Sequence, residues 1–232
     1  LDTYQEAGVT VIRTWGFYDG PAQYNNDISL QPEPGVYNES DLQHLDNLIA
    51  KAKEHNIRVI LTLVNYWDAL GGINQYNEWD GNGGGGMSHF INDPDTQQWF
   101  KDYISMLTNR VNTVTGVAYK NEPAIFSWEI INEGRLPDGD PQELRDWYKD
   151  IAQHIKSEDP NHMVSTGEEG FEENTPSEYS EDQYSNTYVL RANKGTSYMM
   201  NTAIAEIDYG TAHWYPANWG LSATEFSAQH AW

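Results

Sequence analysis

The sequence predicts an α/β protein of parallel βα units, and three observations carry that prediction. Apolar runs suited to buried strands alternate with segments of helical period, and polar clusters fall at the C-terminal ends of the runs. Strands of an all-parallel sheet are covered on both faces, so near-continuous apolar runs such as Val59, Ile60, Leu61, Leu63 and Val64 are what they should show.

The elements follow in order. The opening LDTYQEAG reads as the end of a helix leading into a strand, so further chain is expected upstream of Leu1. GVTVIRTW (8–15) is the first strand. Ser40 with Gln43 makes a capping box, and Leu42, Leu45, Leu48, Ile49 and Ala52 recur at three- and four-residue steps before Asn56, which predicts an amphipathic helix. IRVILTLV (57–64) is the second strand. A Gly- and Asn-rich stretch at 71–93, containing GGGG (83–86), leaves its C-terminal end and reads as a binding loop. A helix over roughly 95–113 carries Trp99, Tyr103, Leu107 and Val111 on one stripe.

AIFSWEII (124–131) is the third strand. Asp140 as N-cap with Pro141 at the first position starts a helix that buries Leu144, Trp147, Tyr148, Ile151 and Ile155 before Asp159-Pro160 stops it. HMVSTG (162–167) and EIDYGTAH (206–213) are the last two strands. Between them the polar stretch 172–200 reads as a second binding loop or a flexible surface insertion. Trp99, Trp128 and Trp147 lie within helix or strand patterns and are expected in the core.

At 232 residues one domain is expected, and a chain of that length can remove about 70% of its unfolded surface from water. A formal charge of −22, from 35 acidic against 13 basic residues, argues against nucleic acid or an anionic membrane as partner. Nine Trp and fifteen Tyr argue against a disordered acidic chain. The acidic excess raises the expectation of a protein suited to high salt, where screening relieves self-repulsion. No apolar stretch approaches a membrane helix, and no signal core opens the chain. With no cysteine there is neither a disulfide framework nor a thiolate metal site, and the His residues show no ligand spacing.

The third strand runs directly into Asn132, Glu133, Gly134 and Arg135. In a βα barrel that position faces the active site, and Glu133 is there a candidate general acid for glycosidic hydrolysis, which needs a second carboxylate as nucleophile or base. A Glu favoured at a helix N-terminus by the helix dipole is the other reading of that residue.

The stretch GVAYKNEPAIFSWEIINEGR (116–135) resembles the segment around the acid/base of family 5 β-mannanases, where Asn-Glu closes the fourth strand of a (β/α)8 TIM barrel. GVTVIRTWGF (8–17), VILTLVNYWDALGGINQYNEWDG (59–81), TGEEGF (166–171) and DYGTAHWYPANWG (208–220) resemble the second, third, fifth and sixth strands with their loops. The resemblance implies that residues 1–232 are a partial catalytic barrel domain, about strands 2 to 6. The first strand would precede Leu1. The nucleophile Glu would close the seventh strand, beyond Trp232, and so would not be in this chain.

Roles follow by resemblance. Glu133 matches the acid/base and Asn132 the amide that bonds the sugar 2-hydroxyl. Arg13 matches the arginine bracing the nucleophile, although a salt bridge elsewhere in the barrel is its alternative. His213 and Tyr215 match the sixth-strand pair shaping the cleavage subsite, where HWY read alone would be core packing. Trp15, Trp67, Trp214 and Trp219 are candidate sugar-stacking rings, with Trp15 and Trp219 favoured. Asn65 lies in the matching third-strand loop as a substrate contact, and Arg135 and Glu169 match contacts on the leaving-group side. Gly134 stands where the family usually has Pro, which is expected to loosen the loop carrying Arg135. Glu168 and Glu169 are not expected to replace the nucleophile, since the fifth strand lies beside the fourth rather than across the barrel.

The function so implied is that of a secreted, monomeric retaining endo-hydrolase of β-1,4-mannan or galactomannan, without metal or cofactor. Its polysaccharide partner could instead be cellulose or a mixed glucan. A non-catalytic carbohydrate-binding barrel is the reading from a different class, and Glu133 with Asn132 counts against it.

Overall fold

The computed structural model describes residues 1–21, 28–172, 194–213 and 215. Four parallel strands lie in chain order: β1 (Val11–Trp15), β2 (Arg58–Thr62), β3 (Ile125–Glu129) and β4 (Met163–Ser165). Helices follow the strands in the βα manner, so the sheet is an incomplete set of βα units of a barrel, as the strand pattern predicts. The register aligns Arg13 with Ile60, Thr62 with Glu129, and Glu129 with Ser165. Alternation then puts Arg13, Trp15, Thr62, Glu129 and Ser165 on one face. Val59, Leu61, Trp128 and Val164 fall on the other and are fully buried.

That second face meets the long helices. Helix α1 (Asp2–Glu6) precedes β1, and α2 (Glu39–Glu54) follows it, burying Leu42, Leu45 and Ile49. Its N-cap is Asn38, not the predicted Ser40, which sits in the first turn and donates to Asn38 Oδ1. Gln43 bonds Glu39 rather than closing a capping box. Asn38 wins because its amide is held by Asp41, whose carboxylate also accepts from the backbone of Ser29.

The Gly- and Asn-rich stretch after β2 is not an open loop. It forms α3 (Gly72–Trp79) and α4 (Gly86–Asn92), which bury Ile73, Tyr76, Met87, Phe90 and Ile91 in the common core. Gly71 and Gly72, both at positive φ, let this segment start: a side chain would fall on the carbonyl oxygens of Asp19 and Asn65 respectively.

Helix α5 (Pro94–Asn109) begins on Asp93, whose carboxylate accepts from the N–H groups of Asp95 and Thr96. Its buried stripe is Phe100, Tyr103, Ile104 and Leu107. Trp99 is only partly buried, and Val111, beyond the helix end, is exposed. A short 3-10 turn (Tyr119–Asn121) leads into β3. Helix α6 (Pro141–Glu158) starts as predicted, with Asp140 accepting from Gln142 N–H, and buries Leu144, Trp147, Tyr148, Ile151 and Ile155.

The expected strand 206–213 does not form. Asp208 N–H bonds Val164 O, but Val164 N–H bonds the Asp208 side chain instead of its backbone, so the ladder ends after one rung. Of the polar stretch 172–200, residues 173–193 lie outside the described residues, and α7 (Tyr198–Thr202) follows.

Candidate active site

The parallel sheet delivers its strand ends to one edge, and most of the residues singled out in the sequence meet there. Glu133, four residues past the end of β3, adopts a left-handed conformation (φ 59°) that turns the chain out of the strand. Its N–H bonds Gly167 O, beyond β4. The carboxylate is held at both oxygens: Trp67 Nε1 donates to Oε2 at 2.7 Å, and His213 Nδ1 lies 2.9 Å from Oε1. Burial alone would push this carboxyl up. The hydrogen bonds from His213 and Trp67, with the charges of His213 and Arg135, outweigh it and hold the group below its ordinary value of 4.5.

Beside it runs a second network. Glu129, 1% exposed, accepts on Oε1 from Arg13 Nε (2.8 Å), Arg13 Nη2 (2.5 Å) and Thr62 Oγ1 (2.7 Å). The same Nη2 donates to Asn132 Oδ1 at 2.7 Å, and Asn132 Nδ2 donates to Asn65 Oδ1 at 2.9 Å. Arg13 thus joins the Glu129 carboxylate to the Asn132 amide. Glu129 was not singled out from sequence. A carboxylate in an otherwise apolar parallel strand needs a charged partner, and that requirement was the available signal.

Arg135 and Glu169 form a bidentate pair, with both bonds at 2.6 Å. The guanidinium also lies over Trp67 (5.0 Å) and Phe171 (5.2 Å). Burial pushes the Glu169 carboxyl up, against the opposing pull of Arg135. Gly134 does not loosen this segment. It is buried, and a Cβ there would stand 2.5 Å from Tyr148 Oη and 2.8 Å from Ile131 Cγ2. Glu168 is buried and accepts from Thr166, Thr196 and Asn201, tying the end of β4 to α7 and the residues before it.

The remaining candidates divide. Trp15 is 38% exposed at the end of β1, its ring 5.1 Å from the Arg13 guanidinium, and Trp67 is 43% exposed. Tyr215 is half exposed. Trp214 and Trp219 lie outside the described residues. Asn65 is 3% exposed, and its amide is spent on Asn132, on the N–H of Trp67 and on the carbonyl of Ala69.

Away from the cleft, Asp80, His89 and Asp93 gather with ligand atoms within 4.8 Å of one another, a spacing the sequence did not disclose. Each already has a role. His89 Nε2 lies 2.8 Å from Asp80 Oδ2, and Asp93 caps α5. No helix among the described residues is long and apolar enough to cross a membrane.

A family model described as GH family 5 beta-mannosidase-like matches residues 1–231. Mannan endo-1,4-beta-mannosidase 4 of Solanum lycopersicum is 38% identical over 238 residues, covering 100% of this chain and 56% of the relative. Mannan endo-1,4-beta-mannosidase 5 of Arabidopsis thaliana is 38% identical over 94% of this chain and 50% of its own length. Among solved structures, the endo-beta-1,4-mannanase of Thermotoga petrophila superposes with a TM-score of 0.84 at 36% identity, covering 95% of this chain and 49% of that one. That of Rhizomucor miehei gives 0.81 at 32% identity, over 94% of this chain and 62% of that one. The chain spans about half the length of the curated relatives it matches.

Proposed function

Since the chain belongs to the β-mannosidase-like group of glycoside hydrolase family 5, we propose that the complete protein is a retaining endo-hydrolase of β-1,4-mannan or galactomannan, with Glu133 as acid/base. The observation that carries this reading is the Glu133 carboxylate, turned out of a barrel strand and gripped by Trp67 and His213 at the mouth. Hydrolysis with retention needs an acid/base and a nucleophile carboxylate about 5 Å apart. Asn132, next to Glu133 in the chain, supplies an amide for the sugar, Trp15 at the end of β1 an exposed ring, and Arg135 with Glu169 a charged pair against Trp67.

Glu133 is ionised near neutrality in this environment, which suits the half-reaction in which it takes a proton from water. A nucleophile carboxylate brought beside it raises its pKa and favours the other half, protonation of the leaving oxygen. Among the described residues, three carboxylates near Glu133 are committed to other partners. Glu129 is engaged with Arg13, Glu169 with Arg135, and Glu168 with α7. We take the nucleophile to come from a further strand of the same catalytic barrel domain, with Arg13 bracing it.

A polysaccharide substrate suits an extracellular, monomeric enzyme, and the mechanism calls on no metal or cofactor. Mannose and glucose differ at C2, so a β-glucan is the second reading. The test is hydrolysis of locust bean gum against carboxymethylcellulose by the full-length protein and its Glu133→Gln variant. Faster cleavage of the galactomannan, reduced at least about a hundredfold in the variant, supports the proposal. Preference for the cellulose derivative moves the substrate to glucan. Binding without cleavage by the unaltered protein makes it a carbohydrate-binding barrel.

A further inference from the structure

We infer that Glu129 and Asn65 are positioning residues that clamp the Asn132 amide from its two ends and so present one fixed N–H face to the substrate beside Glu133. The inference rests on the proposed hydrolysis for its kinetic consequence, but the geometry stands apart from it.

A guanidinium is planar, and its N–H directions are set once two of them are pinned. Glu129 Oε1 takes both Arg13 Nε–H and one Nη2–H, at 2.8 and 2.5 Å. The second Nη2–H is thereby aimed along one line, and Asn132 Oδ1 lies on it at 2.7 Å. An N–H can meet only an acceptor, so this end of the Asn132 amide must be oxygen. Thr62 Oγ1, fully buried in β2, donates to the same Glu129 oxygen and fixes the carboxylate against the neighbouring strand.

The far end is pinned independently. Asn65 cannot flip, because its Oδ1 accepts from the N–H of Trp67 while its Nδ2 donates to the carbonyl of Ala69. Asn65 therefore offers an oxygen to Asn132, which must answer with Nδ2, at 2.9 Å. Both constraints demand the same orientation. The second Nδ2–H is then left as a preset donor for a sugar hydroxyl, and no reorientation is needed when substrate arrives. Asn65, expected from the sequence as a substrate contact, acts through Asn132.

The test uses the full-length protein as wild type, Glu129→Gln, Asn65→Ala, the double variant and Glu133→Gln. The substrate is an aryl β-1,4-mannobioside, alongside its counterpart lacking the 2-hydroxyl of the sugar at the cleavage point. Each single variant should lower kcat about tenfold or more with KM little changed. The double variant should fall hardly further, because both residues act on one amide. On the 2-deoxy substrate the penalties should largely vanish, which a general loss of stability would not produce. Equal penalties on the two substrates, or a wild-type kcat in Glu129→Gln, overturn the clamp. Should Glu129→Gln fail to fold, Asn65→Ala alone decides by the same substrate comparison. The Asn132 side-chain NH2 signal in 1H–15N spectra is read without turnover: it should shift in each folded variant, and an unmoved signal overturns the clamp. If instead the wild type cleaves no β-glycan, or Glu133→Gln matches it, the hydrolytic reading fails, and the spectra still decide the clamp.

Discussion

Trp67 grips Glu133 edge-on through its indole N–H, at 2.7 Å, while the face of the same ring carries Arg135 at 5.0 Å. One side chain thus links the Glu133 carboxylate, the proposed acid/base, to the Arg135–Glu169 pair. The N–H bond favours the ionised carboxylate, so its removal should raise the Glu133 pKa. Trp67→Phe keeps a ring for Arg135 and deletes only the donor. A general acid must be protonated to act, so the alkaline limb of kcat/KM should move to higher pH in this variant of the full-length protein. An unmoved limb would mean that Trp67 does not tune Glu133.

Gly134 and Tyr148 are packed too tightly for either to change alone without consequence. A Cβ on Gly134 would meet the Tyr148 hydroxyl at 2.5 Å, and that hydroxyl is buried with no hydrogen-bond partner among the described residues. Gly134→Ala should therefore cost about 1–3 kcal/mol by overpacking. Tyr148→Phe, which removes an unsatisfied polar atom, should be neutral or stabilising by up to about 1 kcal/mol. Combined, they should recover much of the alanine penalty. Denaturant melts of the four proteins give the coupling directly, and simple additivity would show that the hydroxyl is not the obstruction.

Elements whose signal is local were legible in the sequence. Asp140-Pro141 starts α6 because cap and first-turn chemistry lie in adjacent residues, and the place of Glu133 just past a strand end was legible because the strand runs directly into it. Elements decided by distant partners were not. Ser40 lost the N-cap to Asn38, whose amide donates to an Asp41 carboxylate that the Ser29 backbone N–H also holds. The glycines of 71–93 concealed Ile73, Tyr76, Phe90 and Ile91, whose burial depends on α5 and α6 packing over them. Arg135 and Glu169 were each singled out, yet their pairing joins two strand ends 34 residues apart and no local rule discloses it. Glu129 was missed for the same reason, with its cation 116 residues upstream.

Asp159 is a buried carboxylate whose charge the fold uses. It accepts from Trp128 Nε1 at 2.7 Å, from the N–H groups of Asn161 and His162, and lies 2.6 Å from His162 Nδ1. Burial raises its pKa, but these bonds together win and hold it below the ordinary 3.8. A depressed carboxyl stabilises above its unfolded pKa, and that stability is lost as pH falls through the folded value, so the window lies below about pH 4. Asp159→Asn should cost about 2–4 kcal/mol at neutral pH. The gap between variant and wild type should narrow as pH drops below about 4, because protonation removes the same charge from the wild type. Urea melts at pH 7 and pH 3 check this, and an equal gap at both would assign the cost to packing.

Electrostatic self-repulsion sets the last expectation. The strongest cations are already committed: Arg13 to Glu129, Arg110 to Asp46 and Glu39, and Arg135 to Glu169. The net charge of −22 is therefore carried by carboxylates in excess of available partners, many of them on exposed helix faces. At low ionic strength those charges repel across the whole surface, whereas about 1 M salt shortens the screening length to about 3 Å and leaves only close contacts. The buried pairs are screened far less than the exposed excess, so salt should remove more repulsion than attraction. The melting temperature is expected to rise steadily from low salt to about 1 M sodium chloride. A flat or falling curve would mean that the exposed pairs, such as Lys51 with Glu54, outweigh the repulsion and that the acidic surface is no adaptation to salt.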